Sequence, residues 1–524
     1  MLFPTLPLLC RLPTRTMPPL ASFAPSASAS DTIFALSSGA GVRAGVAVVR
    51  ISGPQARDAL LALAPGKKGE LPEARRAVLR KLWAPTDNAG GEATAADDSE
   101  RELIDQALAI WFPGPRSFTG EDTVELHTHG SRAVVAATLE ALGSLDGLRM
   151  AEPGEFTRQA FYNGRMDLTE VEGLSDLINA DTEEQRKQAL RQMGGAQREQ
   201  YDEWRKTLLK SLAYTEALID FGEDAEDVTN DALRSAVQTV SRLRGEMEAE
   251  IGDGGRGEVL REGVRVAILG PPNAGKSTLL NALAKRPAAI VSDVAGTTRD
   301  VVQVTLQLGG LPIVVSDTAG LREATNDPIE VQGMRRAADE ARQAQIQLWV
   351  FDARQPPTQA TQLDPEATLE QVDSGGEGGG EGGGEAGASP ATRLLVLNKG
   401  DLLDADPASS CKLVPAESQW VLSCETGDGL PVFLDALSGL VKSRFGSSDG
   451  EPALITRARH REHLKRCSSA LLAFEEYASL EESAPLDLAA EEIRIAADEL
   501  GRITGRIDVE ELLDVIFRDF CIGK

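Results

Sequence analysis

The segment GPPNAGKST at 270–278 confines the middle of this chain to one kind of architecture. Two glycines separated by four residues are followed by Lys276 and Ser277, the pattern of a phosphate-cradling loop. The residues before it, VRVAIL at 264–269, are a β-branched apolar run that reads as a buried strand. Leu279, Leu280, Ala282 and Leu283 follow it as a helix would. Strand, glycine loop and helix in that order place backbone N–H groups and a helix N-terminus around an anion. Asn273, Ala274, Gly275, Lys276, Ser277 and Thr278 are the expected phosphate contacts. Lys276 is expected to reach the β/γ-phosphates, and the Ser277 hydroxyl to ligate Mg²⁺.

Further motifs follow in order. Gly296-Thr297-Thr298 offers a second hydroxyl for Mg²⁺. Asp317-Thr318-Ala319-Gly320 ends an apolar strand at 311–315, and Asn398-Lys399-Gly400-Asp401 ends another at 394–397. The Asp401 carboxylate suits N1 and the exocyclic amine of guanine, which adenine cannot reproduce, so GTP is the expected nucleotide. Ser423-Cys424, after a strand at 420–422, is expected to meet the guanine oxygen through backbone N–H groups. Small GTPases of the Ras type place a Gln after the Asp-Thr-Ala-Gly motif to orient the attacking water. Here that position is Leu321, so hydrolysis must find its charge stabilisation elsewhere. Asn273 is read either as a monovalent-cation ligand beside the phosphates or as ordinary turn chemistry.

A chain of 524 residues should hold about three domains. It contains no run of about 18 apolar residues, so no membrane-crossing helix is expected. A net charge of −27 argues against nonspecific coating of nucleic acid without excluding a local basic site. The five cysteines form no metal-spaced pair and read as free thiols. His127 and His129 fall on one face of a presumed strand, with no third ligand nearby to suggest zinc. Residues 1–30 carry Arg11 and Arg15, no acidic residue, and many Ser, Ala and Pro, as an organellar transit peptide does.

Residues 31–150 read as a mixed α/β domain, with strands at 46–51 and 107–112. Helical stripes begin after it, at Leu168, Val171, Leu174 and Ile178 and at Leu208, Leu212, Thr215 and Ile219. They resume beyond the nucleotide motifs at Ile493, Ala497, Leu500 and Ile503, and again from Val509 to a last stripe ending in Phe517 and Phe520. The expected division is 1–30 transit peptide or disordered tail, 31–150 N-terminal domain, 151–262 first helical part, 263–446 nucleotide domain and 447–524 second helical part. The fold class is therefore multidomain, α/β plus α, with a helical domain interrupted by an inserted phosphate-loop domain. A Gly/Glu-rich insertion at about 360–391, centred on DSGGEGGGEGGGEAGAS, cannot bury a core and is expected to be disordered. Arg457, Arg459, His460, Arg461, His463, Lys465 and Arg466 form a basic run, read as a phosphate-contacting surface or a solvated helix face.

The chain resembles the MnmE or TrmE family of tRNA-modification GTPases over 31–524. The segments carrying the resemblance include DTIFAL at 31–36, PGPRSFTGEDTVELHTHG at 113–130, EPGEFTRQAFYNGRMDL at 152–168, AAIVSDVAGTTRD at 288–300, DTAGLRE at 317–323 and the terminal CIGK. The resemblance implies a folate-binding N-terminal domain that forms a homodimer, a helical domain and an inserted Ras-like GTPase domain. It also implies a complex with an FAD-dependent MnmG-like partner that modifies C5 of the wobble uridine of organellar tRNAs, in mitochondrion or chloroplast. The modification would be of carboxymethylaminomethyl or taurinomethyl type. Asn273, Ser292, Val294 and Thr297 match the family's K⁺ ligands, and Ser277 and Thr298 its Mg²⁺ ligands. Glu330 matches the carboxylate that positions hydrolytic water, joining Lys276 and Cys521 as candidate catalytic residues. Arg50, Glu125, Arg165 and Lys524 match contacts to 5-formyl- or 5,10-methylene-tetrahydrofolate. Ser292 stands where Thr is commoner, Arg165 where Lys is frequent, and Cys424 where Ala is usual. The nucleotide motifs alone also fit a regulatory or ribosome-assembly GTPase with no role in tRNA chemistry.

Overall fold

The computed structural model describes residues 31–39, 43–66, 69–85, 101–221, 226–252, 255–285, 289–290, 302–317, 340–363, 391–403, 413–415, 418–446, 453–480 and 485–507, with 513, 516–518, 520 and 522–523 near the end. It divides into two compact units, Met1–Arg165 with Phe517–Lys524, and Met166–Ile516.

The first unit is built on β1 (Thr32–Leu36), β2 (Ala44–Ser52), β3 (Val78–Trp83), β4 (Leu103–Phe112), β5 (Thr123–Gly130) and β6 (Leu148–Met150). They form one sheet in the order β3-β4-β5-β2-β1-β6. Period-two alternation sends Val49, Ile51, Ala107, Ala109, Val124 and Leu126 to one face, under helices α1 (Ala56–Leu63) and α2 (Arg132–Gly143). Near β1 the opposite side is covered by α3 (Glu155–Tyr162), whose Phe156 packs on Ile33, Ala35 and Ala151. That packing carries the unit to Arg165, past the boundary expected at 150. The strands at β2 and β4 also run longer than the apolar runs at 46–51 and 107–112 that announced them.

In the second unit, α4 (Leu168–Ile178), α5 (Glu183–Met193), α6 (Ala196–Phe221), α7 (Glu226–Ile251) and α8 (Arg256–Glu262) precede a sheet. Capping boxes start α4 at Asp167 with Glu170, and α5 at Thr182 with Gln185. After the sheet come α11 (Ala458–Ala478) and α12 (Leu486–Thr504). Helices from both sides of the sheet share one core: Leu208 and Leu212 of α6, Val240 of α7, Leu464 and Phe474 of α11, and Ile493, Ala497, Leu500 and Ile503 of α12. The helical domain is thus interrupted, as its stripes indicate. The far ends of two stripes, Ile178 and Ile219, stay exposed.

The inserted sheet comprises β7 (Val264–Leu269), β8 (Ala289–Ile290), β9 (Val302–Leu308), β10 (Leu311–Asp317), β11 (Ile346–Asp352), β12 (Thr392–Asn398) and β13 (Gln419–Val421). Its order is β13-β12-β11-β7-β10-β9-β8. Strands β7, β10, β11, β12 and β13 run parallel, and β9 and β8 complete it antiparallel. Helices α9 (Lys276–Ala284) and α10 (Leu430–Phe445) belong to the core on one face. A second apolar cluster that includes Trp349, Phe351, Leu395 and Leu397 covers the other. Burial on both faces is why these strands read as continuous apolar runs.

Asp176 on α4 links the two crossings between helices and sheet. Its Oδ1 accepts from Arg261 Nε at 3.0 Å, just before β7, and from Arg457 Nη2 at 2.9 Å, just before α11. Two glutamines of α5 hold the same places: Gln185 Nε2 donates to Arg261 O at 3.0 Å and Gln188 Nε2 to Ala453 O at 2.7 Å.

Candidate functional site

The glycine loop leaves the carboxyl end of central β7, where the chain departs to opposite sides of the sheet. Gly270 has φ +137°, and a Cβ there would strike the Val350 carbonyl. Gly275 has φ +96°, and a Cβ there would strike the Asn398 amide. Asn273, also left-handed at φ +61°, is exposed at the loop's tip. Lys276 is buried, and its ammonium donates to the carbonyls of Gly270 and Pro271, both at 2.9 Å. Ser277 and Thr278 present exposed positions on the first turn of α9.

Asn398 ties three motifs together. Its Nδ2 donates to Ala274 O at 3.0 Å, and its Oδ1 accepts from Cys424 N at 3.1 Å. The segment at Ser423 is closed by Ser423 N to Asp428 O at 2.9 Å and Thr426 N to Ser423 Oγ at 3.2 Å. Burial pushes the Cys424 thiol up to about 11, so it stays protonated at neutral pH. Lys399 Nζ donates to Asp352 Oδ2 at 2.9 Å. Hydrogen bonding from Arg354, reinforced by Lys399, holds the Asp352 carboxyl well below the usual range. Asp401 is exposed beside this pair. Sequence reading missed Asp352, although its place at the carboxyl end of a buried parallel strand was a usable signal.

Of the other expected nucleotide-site residues, Asp317 closes β10. Ser292, Val294, Thr297, Thr298, Gly320 and Glu330 lie outside the described residues, as do Leu321 and most of the insertion at 360–391.

A second constellation sits on the sheet of the first unit. Arg50 of β2 and Glu125 of β5 are cross-strand partners. Arg50 Nε and Nη2 donate to Glu125 Oε1 at 3.1 and 2.9 Å. The guanidinium lies over Phe118 at 5.0 Å and Phe156 at 5.7 Å, while its buried Nη1 has no hydrogen-bond partner among the described residues. Glu125 Oε2 faces His127 Nε2 at 3.6 Å. A carboxylate, an unsatisfied guanidinium N–H and aromatic faces suit a planar heterocycle bearing amide and amino groups. Arg165 is exposed beside Gly120, in the loop that Asn163 Nδ2 pins through Thr119 O at 2.8 Å. Cys521 and Lys524 lie outside the described residues, but their neighbours Ile522 and Gly523 pack on this same unit. Among the described residues no group of three His, Cys, Asp or Glu side chains is arranged to hold a metal. His129 pairs with Asp105 at 2.7 Å.

Five residues of the basic run at and before the start of α11, Arg457, Arg459, His460, Arg461 and His463, are paired with acidic residues rather than forming an open phosphate patch or a solvated face. Glu172 of α4, fully buried, accepts from Arg459 Nε at 2.9 Å, faces Arg457 Nε at 3.4 Å and meets His460 Nε2 at 2.9 Å. Arg461 bonds Glu258 at 3.2 Å and the Ile251 carbonyl, and His463 bonds Glu499 at 2.7 Å. Lys465 and Arg466 remain exposed. Burial alone would raise the Glu172 carboxyl, but the charges of Arg459 and Arg457 and the hydrogen bond with His460 Nε2 outweigh it and hold it ionised. Burial pushes His460 down to about 4, so its imidazole is neutral at pH 7. The unfolded histidine titrates near 6.5. As pH falls from about 6.5 to 4 the unfolded chain takes up a proton that the folded one refuses, so stability is lost in that window. The slope expected from this group is at most about 1.4 kcal/mol per pH unit. Comparing denaturation of the native chain and His460→Gln at pH 7 and pH 5 measures it; equal pH dependence would refute the assignment.

Two family models match the chain: the MnmE helical domain over residues 168–521 and the GTP-binding protein TrmE N-terminus over residues 32–165. The chain is 49% identical over 496 residues to the tRNA modification GTPase MnmE of Parvibaculum lavamentivorans, covering 94% of this chain and 100% of that one. It is 46% identical over 500 residues to the mitochondrial 5-taurinomethyluridine-[tRNA] synthase subunit GTPB3 of Danio rerio, covering 94% and 93%. With the protein of the same description from Homo sapiens it shares 44% over 517 residues, covering 98% and 97%.

Proposed function

Because this chain belongs to the MnmE/TrmE family of tRNA-modification GTPases, we propose that it hydrolyses GTP within a folate-dependent complex that modifies C5 of the wobble uridine of organellar tRNAs. The observation that carries this reading is near-full-length identity to relatives named for tRNA modification. Two of them are mitochondrial 5-taurinomethyluridine synthase subunits, which favours a mitochondrial protein and a taurinomethyl product. Tetrahydrofolate, carried as the 5-formyl or 5,10-methylene form, supplies a one-carbon unit when bound. Arg50, Glu125, Arg165 and Lys524 are its proposed contacts, with Cys521 close to the chemistry. A homodimer through the N-terminal unit and an FAD-dependent MnmG-like partner complete the proposed assembly. Mass spectrometry of organellar tRNA wobble uridines after loss of this protein tests the reading, and unchanged modification would reject it.

For hydrolysis, Lys276 binds the phosphates, Ser277 and Thr298 hold Mg²⁺, and Glu330 orients water. The K⁺ ligands are Asn273, Ser292, Val294 and Thr297. A cation there neutralises charge that develops in the transition state, a role that Leu321 cannot share. GTP turnover is expected to be at least about tenfold faster in K⁺ than in Na⁺, since one well-placed charge contributes that much or more. Asn273→Ala is expected to abolish the difference while nucleotide still binds. Equal turnover of the native enzyme in both salts would overturn the assignment.

A further inference from the structure

At the carboxyl ends of β11 and β12 one carboxylate holds two cations. Asp352 and Asn398 are register partners there, and Ala353 N donates to Asn398 O at 2.7 Å. Asp352 Oδ1 accepts from Arg354 N and Nε, both at 3.0 Å, and its Oδ2 from Arg354 Nη2 at 2.8 Å and Lys399 Nζ at 2.9 Å. The Asp352 side chain is 16% exposed, against 30% for Lys399 and 52% for Arg354, so the carboxylate is the fixed member of the trio. Lys399 turns left-handed at φ +66°, a conformation that a residue with a Cβ keeps only where its surroundings impose it. Here Gly400 N donates to Leu422 O at 3.0 Å on one side, and the ammonium reaches back to Asp352 on the other. The turn leaves Asp401 exposed two residues on. Asp352 first, and Asp401 after it, raise the Arg354 guanidinium above its ordinary value, so Asp401 lies within the field of the same cation.

We propose that Asp352 is a positioning and specificity-determining residue of the nucleotide site: by holding Arg354 and Lys399 it leaves the Asp401 carboxylate open to the N–H groups of a guanine-type base. The inference rests on the proposed function above, in which the nucleotide is GTP. An ionised carboxylate only accepts hydrogen bonds, and the planar fork of a guanidinium can fill both of its oxygens at once. A base edge that offers an amide N–H and an amino group needs those same two oxygens. Arg354 and the base are therefore rivals for Asp401. Asp352 decides the contest by giving the guanidinium a better-shielded partner, where less water competes for the pair. Lys399 is kept from Asp401 in the same way. Its stem is fixed between the two strand ends rather than free to sample rotamers. Asp352 thus acts through the two cations and not by contact with the nucleotide.

GDP and IDP provide the test. Both bases carry the ring N–H, but the hypoxanthine of IDP lacks the exocyclic amino group, so the ratio of their affinities reports whether Asp401 accepts from it. Diphosphates are used so that no turnover occurs. Calorimetry on the full chain is expected to show the native protein preferring GDP. Asp352→Ala is expected to lower the GDP-to-IDP ratio by roughly five- to tenfold, the worth of one hydrogen bond. An unfolded fraction scales both affinities alike, so the ratio answers the question even if the variant is less stable. Adding Arg354→Ala to Asp352→Ala takes away the forked rival and is expected to raise the ratio back toward native. Adding Lys399→Met instead removes the other released cation while keeping an apolar stem. Asp352→Ala with the native ratio overturns the inference. So does a lowered ratio that neither added substitution raises, because the cations are then not what occupies Asp401. A native chain that binds neither diphosphate, or both equally, overturns the reading of this site as a guanine site instead.

Discussion

Glu172→Ala is expected to lower the stability of the second unit by about 3–5 kcal/mol, the cost of breaking a buried ion pair from one side. Glu172 has no exposed surface. It offers one oxygen to Arg457 and Arg459 and the other to His460. Without the carboxylate, two guanidinium groups stay beneath the packed helices having lost their shared counter-charge. Arg459 keeps partial compensation from the carbonyls of Arg502 and Ile503 at 3.2 and 3.0 Å. Arg457 keeps Asp176. The helices are therefore expected to loosen rather than lose their fold. Glu172→Gln retains an acceptor without the charge and should fall between native and Ala. Urea denaturation followed by circular dichroism gives the difference, and a loss below about 1 kcal/mol, the range of an exposed pair, would reject the buried-network account.

Lys276→Ala is expected to reduce kcat/KM for GTP by at least about 10²–10³, the effect of deleting one preorganised charge-stabilising donor. The lysine's ammonium is held within the loop by two of the loop's own carbonyls, at the place the proposed function gives to the phosphates. Little reorganisation is then needed for it to turn toward an anion. Because the loop's curvature is set by Gly270, Asn273 and Gly275, the Ala variant should keep its fold and its melting temperature. A variant with normal turnover would place phosphate stabilisation elsewhere. One that unfolds would show that the buried ammonium is structural.

The nucleotide site was legible because its chemistry is local. Strand, loop and helix are contiguous, and among the described residues Asp317, Asn398 and Ser423 each sit at or just beyond the end of a strand. Asn398, Ala274 and Cys424 meet because parallel strands bring those ends together. Spacing alone did not reveal that Asn398 would tie the other two. The pair Arg50 and Glu125 was accessible only through family resemblance. The two residues are joined by strand register across most of a domain, and no periodicity encodes such a pairing. The basic run misled for a related reason. Charges on a helix read as solvated when their partners are out of sight, and here the partners Glu172, Asp176, Glu258 and Glu499 come from three other helices. The boundary at 150 moved because Phe156 buries itself with Ala151 against the first strand.

Asp176 has a bearing on how such a chain could have arisen. The polypeptide passes from helix into the nucleotide-binding sheet and back again at a single carboxylate. Seen from the helices, everything between Arg261 and Arg457 is a loop whose two feet share one oxygen atom. Holding the feet of a loop together costs entropy that grows only logarithmically with the loop's length, so lengthening it adds little. A graft at such a point can be lengthened, exchanged or decorated without straining its host. Ancestral helices of this kind could have accepted a whole foreign module in one step, and the Gly/Glu-rich segment within it shows the same tolerance at a smaller scale.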